Sequence, residues 1–341
     1  MRQNTKNWIG IGGLAIAGVW IAKTATRRAR ALDLVEKTVL ITGASRGLGL
    51  VLAREFAKHA PRIAVCARDA AELERVMQEF AWMGERFLAV TCDLTKREQV
   101  QDMVMQVETI LGPVDVLVNN AGTIIVGPVE NQSVETFEDA MATNFWGPLY
   151  TTFAVMEGMQ RRRSGRIVNI ASLGGKIAVP HLLSYSASKF ALVGLSEGLR
   201  MELAKDDVRV TTVCPGLMRT GSPRNADFAG QHRKEYAWFS VSDSLPGISI
   251  RAESAARKIV DACIHGDAEV ILGGTAKLAT MLHALMPDTL NKILATINTA
   301  LMPEPDGAGS DRYKGFESAS RATRNALTSL TRLAESANNQ I

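Results

Sequence analysis

Short apolar runs alternate with longer helical patterns through the middle of this chain. The runs are Thr38–Ile41, Ile63–Cys66, Phe87–Thr91, Val114–Val118, Ile167–Ile170, Val208–Val213 and Glu269–Leu272. Apolar residues at helical spacing fill the stretches between them. The runs are rich in Val and Ile and do not alternate with polar residues. That predicts strands covered on both faces, hence a parallel sheet with helices outside. The expected fold class is α/β, a doubly wound sheet of seven parallel strands joined by right-handed crossovers. Such sheets bind ligands beyond the carboxyl ends of their strands, so chemistry is sought just after each run.

Both ends of the chain depart from this alternation. Trp8–Ala22 is an uncharged apolar run, preceded by Arg2 and Lys6 and followed by Lys23, Arg27, Arg28 and Arg30. A spanning helix needs about 20 residues, with about 17 as the lower bound. Asn7 and Thr24 to Thr26 bring the run near that limit. Residues 1–30 are therefore expected to form an N-terminal apolar helix that anchors the chain in a membrane. The greater positive charge after the run places the main domain, residues 31–273, on the cytoplasmic side. A cleaved signal peptide and packing within a soluble domain are the alternatives. Residues 274–303 carry an apolar stripe from Leu278 to Met302, interrupted at Pro287, which predicts an amphipathic helical extension. It packs against the body or a twin subunit, or lies on a bilayer surface. Residues 304–341 read as a polar linker followed by a peripheral polar helix.

Composition narrows the function classes. The chain is 46% hydrophobic and 22% charged, enough to bury a sizeable core. Lys plus Arg is 39 and Asp plus Glu 35, and a net charge of +4 makes no case for a nucleic-acid partner. Cys66, Cys92, Cys214 and Cys263 are far apart, with no CxxC. Neither a disulfide scaffold nor a metal site is expected, and a reducing compartment fits.

The first strand runs into Thr42-Gly43-Ala44-Ser45-Arg46-Gly47-Leu48-Gly49, followed by a helical pattern. Glycines at such a turn let the backbone approach a pyrophosphate, which the free N–H groups and dipole of the helix N-terminus stabilise. The spacing is G-x-x-x-G-x-G. It resembles the short-chain dehydrogenase/reductase superfamily, and the resemblance continues along the chain. Cys92-Asp93-Leu94 is similar to the family's adenine-contacting turn, and Asn119-Asn120-Ala121-Gly122 to its turn beside the cofactor. Asn144 resembles the catalytic asparagine. Ser172, then Tyr185-Ser186-Ala187-Ser188-Lys189, then Pro215-Gly216 with Thr220 downstream complete the match. The resemblance covers roughly Glu36 to Leu272 and implies a Rossmann-like fold that binds a nicotinamide dinucleotide. It also implies a homodimer or homotetramer paired through the helices holding Asn144 and Tyr185.

Hydride transfer to a carbonyl carbon leaves negative charge on its oxygen, so a proton must arrive as the alkoxide forms. A phenol near its ordinary pKa of about 10 serves poorly in both directions at neutral pH, and a nearby cation brings it down. Lys189 follows Tyr185 by four residues, which puts both side chains on one helix face. The resemblance assigns Tyr185 as acid/base, with Lys189 lowering its pKa and holding the ribose. It assigns Ser172 to polarise the substrate oxygen and Asn144 to hold a water linking Lys189 to solvent.

Cofactor preference turns on Ala64-Val65-Cys66-Ala67-Arg68-Asp69. An acid at the end of the second strand would bind ribose hydroxyls and repel a 2′-phosphate. Ala67 stands there, with Arg68 beside it and Arg46 in the glycine loop. Two converging guanidinium groups suit a phosphate, so NADP(H) is expected over NAD(H). Asp69 becomes the ribose ligand if the strand end falls one or two residues later, while Asp69-Ala70-Ala71-Glu72 also reads as a capping box. The segment Met218–Ile250 carries Phe228, Tyr236, Trp238 and Phe239, aromatics that suit a lipophilic substrate or ordinary packing against the C-terminal stripe. The expectation is a membrane-associated NADP(H)-dependent reductase of a lipophilic ketone. The alternative is a nucleotide-sensing protein of the same fold without turnover.

Overall fold

The computed structural model describes residues 24–245, 247–307, 309–320 and 328–341. The Trp8–Ala22 run lies outside them. Among the described residues no helix is long and apolar enough to cross a membrane.

All seven apolar runs are strands: β1 (Thr38–Thr42), β2 (Arg62–Ala67), β3 (Phe87–Thr91), β4 (Val114–Asn119), β5 (Gly165–Ile170), β6 (Val208–Pro215) and β7 (Glu269–Leu272). They form one sheet in the order β7-β6-β5-β4-β1-β2-β3, with every neighbouring pair parallel. The order reverses between β1 and β4, which opens a crevice beyond their carboxyl ends.

Helices cover both faces. They are α1 (Gly47–Ala57), α2 (Ala70–Glu79), α3 (Arg97–Leu111), α4 (Val134–Met141), α5 (Gly147–Arg162), α6 (Leu183–Glu202), α7 (His232–Ser244) and α8 (Ala252–His265). On one face Val39 and Ile41 of β1 pack with Leu50, Leu52 and Phe56 of α1 and Ile259 of α8. On the other, Leu40 packs with Val104 and Val107 of α3 and Val155 and Met159 of α5. Successive β1 side chains thus enter two different cores, which is why no polar alternation marks the strand. Phe56 is wholly buried, and truncating such a side chain costs about 3–5 kcal/mol.

A polar chain runs through the sheet beneath the crevice. Thr151 donates to the Asn119 side-chain oxygen Oδ1 at 2.6 Å, and the Asn119 side-chain amide donates to Asn169 Oδ1 at 2.9 Å. Asn169 donates to Ser196 at 3.1 Å, and Thr212 is hydrogen-bonded to Ser196 at 2.7 Å. These residues satisfy one another, so the interior tolerates them.

The chain beyond β7 narrows one expectation and corrects another. The stripe forms α9 (Gly274–Leu285) and α10 (Pro287–Leu301), which lie against each other. Leu278, Met281, Leu285, Met286, Ile293 and Leu301 are exposed, so the stripe does not pack into the body. The polar tail, by contrast, is tied to the body. Arg312–Lys314 pairs antiparallel with Asp227–Ala229, which pairs parallel with Ile125–Val126. Helix α11 (Ser329–Ala337) then leads Asn338–Gln340 onto the glycine loop. Low hydrophobicity concealed this because backbone and amide hydrogen bonds hold the tail.

Candidate active site

The glycine loop is shaped by contact with the turn after β4. Gly43 has φ +62°, and a Cβ there would lie 2.6 Å from the Ala121 Cα. A Cβ on Gly49 would strike the Gly43 carbonyl. The Asn120 side chain donates to the carbonyls of Thr42 and Gly43, each at 3.0 Å. The N–H groups of Asn120 and Ala121 donate to the Thr42 hydroxyl at 3.0 and 3.1 Å. The two loops are therefore one rigid rim, with Leu48 packed behind it in the core.

Asn144 lies in a π-turn, Ala142–Trp146, between α4 and α5. π-turns aim a side chain out of helical register and frequently mark functional positions. Wholly buried, Asn144 donates to the Thr123 carbonyl at 3.0 Å and to the Ser188 hydroxyl at 2.9 Å, and accepts from the Thr123 N–H at 3.0 Å. Ser188 donates in turn to the Tyr185 carbonyl at 2.8 Å. Sequence reasoning passed over Ser188, which it took only as spacing within the tyrosine motif. A Cβ on Gly122 would lie 3.0 Å from Asn144 Oδ1 and 3.4 Å from Lys189 Nζ, so both groups face that glycine.

Ser172 follows β5, and its hydroxyl accepts from the Gly174 N–H at 3.0 Å. A Cβ on Gly174 would lie 3.4 Å from Ser172 Oγ and 3.2 Å from the Tyr185 ring, so both side chains border that glycine. Lys189 Nζ is 5.8 Å from the centre of the Tyr185 ring and donates to the Ile170 carbonyl at 2.9 Å. The expected direction of the phenol's pKa is corrected. Burial pushes Tyr185 up, while the Ser172 hydroxyl pulls it part of the way back. Burial also brings Lys189 down to about 8. Each charged form loses hydration, and that loss is the largest influence on both groups.

The end of β2 is rearranged as well. Asp69 caps α2 by accepting from the Glu72 N–H at 3.0 Å, as expected of a capping residue. The Glu72 side chain does not return the bond. It accepts from Ser45 and from Arg46, both at 2.6 Å. Arg46 is thus held in an ion pair with a buried carboxylate, and Arg68 is the exposed guanidinium at this strand end. Asp93 accepts from the Thr95 N–H and hydroxyl at 3.0 and 2.9 Å. Leu94 sits against Gly147 at the start of α5. Gly216, after Pro215 of β6, donates to the Leu272 carbonyl at 2.9 Å.

The segment after Gly216, the candidate lid, packs against Tyr185. Met218–Arg219 pairs with Ile250–Arg251 and closes its base. Phe228, Tyr236 and Phe239 form a buried cluster with Leu182, against which Tyr185 and Trp238 pack. These aromatics therefore pack beside the tyrosine of the site, and the exposed stripe is not their core. His181 Nδ1 pairs with Glu235 at 2.8 Å, and Trp238 donates to the same carboxylate at 2.6 Å. That joins the lid to the loop that starts α6.

Known proteins resemble this chain in sequence and fold. A model of the short chain dehydrogenase family matches residues 37–228. Dehydrogenase/reductase SDR family member 7B of Danio rerio is 31% identical over 301 residues, 84% of this chain and 95% of that protein. Ketoacyl reductase HetN of a Nostoc strain is 38% identical over 185 residues, 54% of this chain and 64% of HetN. A variant of actinorhodin polyketide ketoreductase, solved with NADPH, has TM-score 0.63 at 32% identity over 72% of this chain and 99% of that one. The family match begins at β1 and ends inside the lid, so it takes in every loop of the crevice: this chain belongs to the short chain dehydrogenase family.

Proposed function

We propose that the chain is an NADPH-dependent reductase that converts a lipophilic ketone to a secondary alcohol. The observation that carries this reading is the gathering of Ser172 and Tyr185 about Gly174, with the buried Lys189 ammonium 5.8 Å from the centre of the Tyr185 ring. The residues of the crevice fit a nicotinamide dinucleotide: Gly43 and Gly49 let the glycine loop close against the turn after β4, and with Gly47 and Gly122 this rim forms a cradle of bare backbone beside Asn144 and Lys189. Arg46, Arg68, Asp93, Asn120, Pro215, Gly216 and Thr220 surround that cradle in the proposed assignment. When bound, the cofactor supplies a hydride to the carbonyl carbon.

The protein supplies the proton and the field. With its pKa raised, Tyr185 is protonated at neutral pH and ready to donate to the oxygen on which charge develops. The Ser172 hydroxyl orients that oxygen and stabilises its charge. Lys189, at about 8, is mainly an ammonium at pH 7 and offsets the phenolate left behind. Asn144, locked to Thr123 and Ser188, holds the helix that presents Tyr185. The raised phenol favours the reductive direction. The aromatic lid supports a lipophilic substrate.

NADPH consumption with a panel of hydrophobic ketones, 3-oxoacyl thioesters included, tests the reading. Turnover that disappears in Tyr185→Phe supports it. Cofactor binding without turnover on any ketone would favour the nucleotide-sensing alternative. Exposed Trp146 of the π-turn, Phe153 of α5 and Phe190 of α6 support pairing with a second copy through these helices. Membrane attachment through Trp8–Ala22 remains part of the proposal. It is tested by fractionating the full chain beside one starting at Thr24, which keeps the Arg27 bonds to Asp261 and Asp267. Equal solubility would exclude it.

A further inference from the structure

The first N–H of α1 is already taken. Gly47 donates to the Asn338 carbonyl at 2.8 Å, in the position where the helix N-terminus would offer that N–H to a phosphate oxygen. The Asn339 amide donates to the Ser45 carbonyl at 2.8 Å. The Gln340 amide nitrogen lies 2.7 Å from where a Gly47 Cβ would be, and 3.3 Å from the Thr220 carbonyl. Asn225 donates to Gln340 Oε1 at 2.6 Å. The segment thus bridges the glycine loop and the Thr220 turn, the two walls between which a pyrophosphate would pass. Asn338 and Gln340 are both buried.

From this geometry we infer that Asn338–Gln340 is an intramolecular competitor for the pyrophosphate subsite, displaced whenever a dinucleotide enters. The inference rests on the reading that the glycine loop holds NADP(H). A backbone carbonyl accepts from Gly47 as a phosphate oxygen would, and one N–H cannot serve both in full strength. The occupants differ in charge. Positive helix-terminal potential favours the anionic phosphate over a neutral amide, so the segment is a displaceable ligand and not a permanent plug. Only molecules with the segment released bind cofactor, and the apparent dissociation constant rises by the inverse of that fraction. The contact therefore sets cofactor affinity through the equilibrium of the tail.

The test measures NADPH binding to the full chain, to a chain lacking 338–341, and to Asn339→Ala/Gln340→Ala, by enhancement of NADPH fluorescence. We expect the deletion to bind at least about fivefold tighter, and the double variant to tighten binding by a smaller factor. The double variant decides the matter should the deletion fail to fold. Hydrogen exchange gives a second readout: saturating NADPH should speed exchange of the amides of 338–341. Equal affinity in all three chains would overturn the competition while leaving the cofactor reading intact. Weaker binding by both variants, with slower exchange in the tail, would make the segment a clasp over bound cofactor and overturn it too. Failure of all three chains to bind NADPH or NADH would refute the cofactor reading and the competition together.

Discussion

The Asn144 amide donates to Ser188 Oγ at 2.9 Å, which ties the π-turn ahead of α5 to the helix that carries Tyr185. Each partner lies in a different part of the chain, and neither has room to seek water. Ser188→Ala leaves one N–H of a buried amide without an acceptor, at a cost of about 1–3 kcal/mol. We expect a lower melting temperature together with reduced kcat, since Tyr185 loses its backbone tether. An unchanged melting temperature would show that the bond is not needed.

Ser172 and Tyr185 are expected to act as one unit. Positioned proton transfer contributes about 10²–10⁴-fold to rate, so Tyr185→Phe and Ser172→Ala should each lower kcat/KM by at least about a hundredfold. The double variant should be little worse than either single one, because both remove the same stabilisation of the oxygen. Steady-state kinetics of the three variants check this, and fully additive losses would argue for independent roles.

Lys189 gives the pH dependence its sign. Burial holds it at about 8, below its usual 10.5, so its ammonium is lost as pH rises through 8. Tyr185, pushed upwards, keeps its proton over the same range. Reductive kcat/KM should therefore be level from pH 6 to 7.5 and fall above about 8. A profile flat to pH 10 would detach Lys189 from the step.

At the end of β2 the ion pair between Arg46 and Glu72 leaves Arg68 as the exposed guanidinium, the one that would meet the 2′-phosphate of NADP(H) in the proposed function. A hydrogen bond to a charged group contributes about 1.5–3 kcal/mol, so Arg68→Ala should raise the KM for NADPH by at least about tenfold and leave that for NADH nearly unchanged. Glu72→Gln frees Arg46 and should move preference further toward NADPH. Turnover of the unaltered chain with NADH at or above that with NADPH would refute this assignment.

Asp243 ties the lid to the tail helix, accepting from Thr331 at 3.4 Å. Burial pushes its carboxyl up to about 8 from an ordinary 3.8. The folded state holds this proton where the unfolded chain has released it. Its stabilisation is complete below pH 3.8 and is lost as pH rises to about 8, at roughly 1.4 kcal/mol per pH unit. Asp243→Asn has no such loss. Its melting temperature should gain on that of the parent steadily from pH 4 to 8 and then level off. A constant difference across that range would show that Asp243 ionises freely in the fold.

The sheet and the loops of the crevice were legible along the chain because their causes are local. Uninterrupted apolar runs such as Thr38–Ile41 mark strands covered on both faces, and glycines stand where backbones meet, as Gly43 does against Ala121. The four-residue step from Tyr185 to Lys189 needs only helix geometry to put both on one side. Tertiary structure decided what depends on a second, distant surface. Glu72 has the spacing of a capping box, yet Ser45 and Arg46 claim its carboxylate because they arrive from another loop with better donors. The phenol of Tyr185 is raised, not lowered, since dehydration is set by everything packed around it and not by its neighbour in sequence. Asn338 reaches Gly47 from the far end of the chain, a contact made of backbone and amide hydrogen bonds that leave no mark in hydrophobic periodicity. Propensity and spacing act between neighbours; desolvation and the pairing of polar groups are settled only when remote segments close around them.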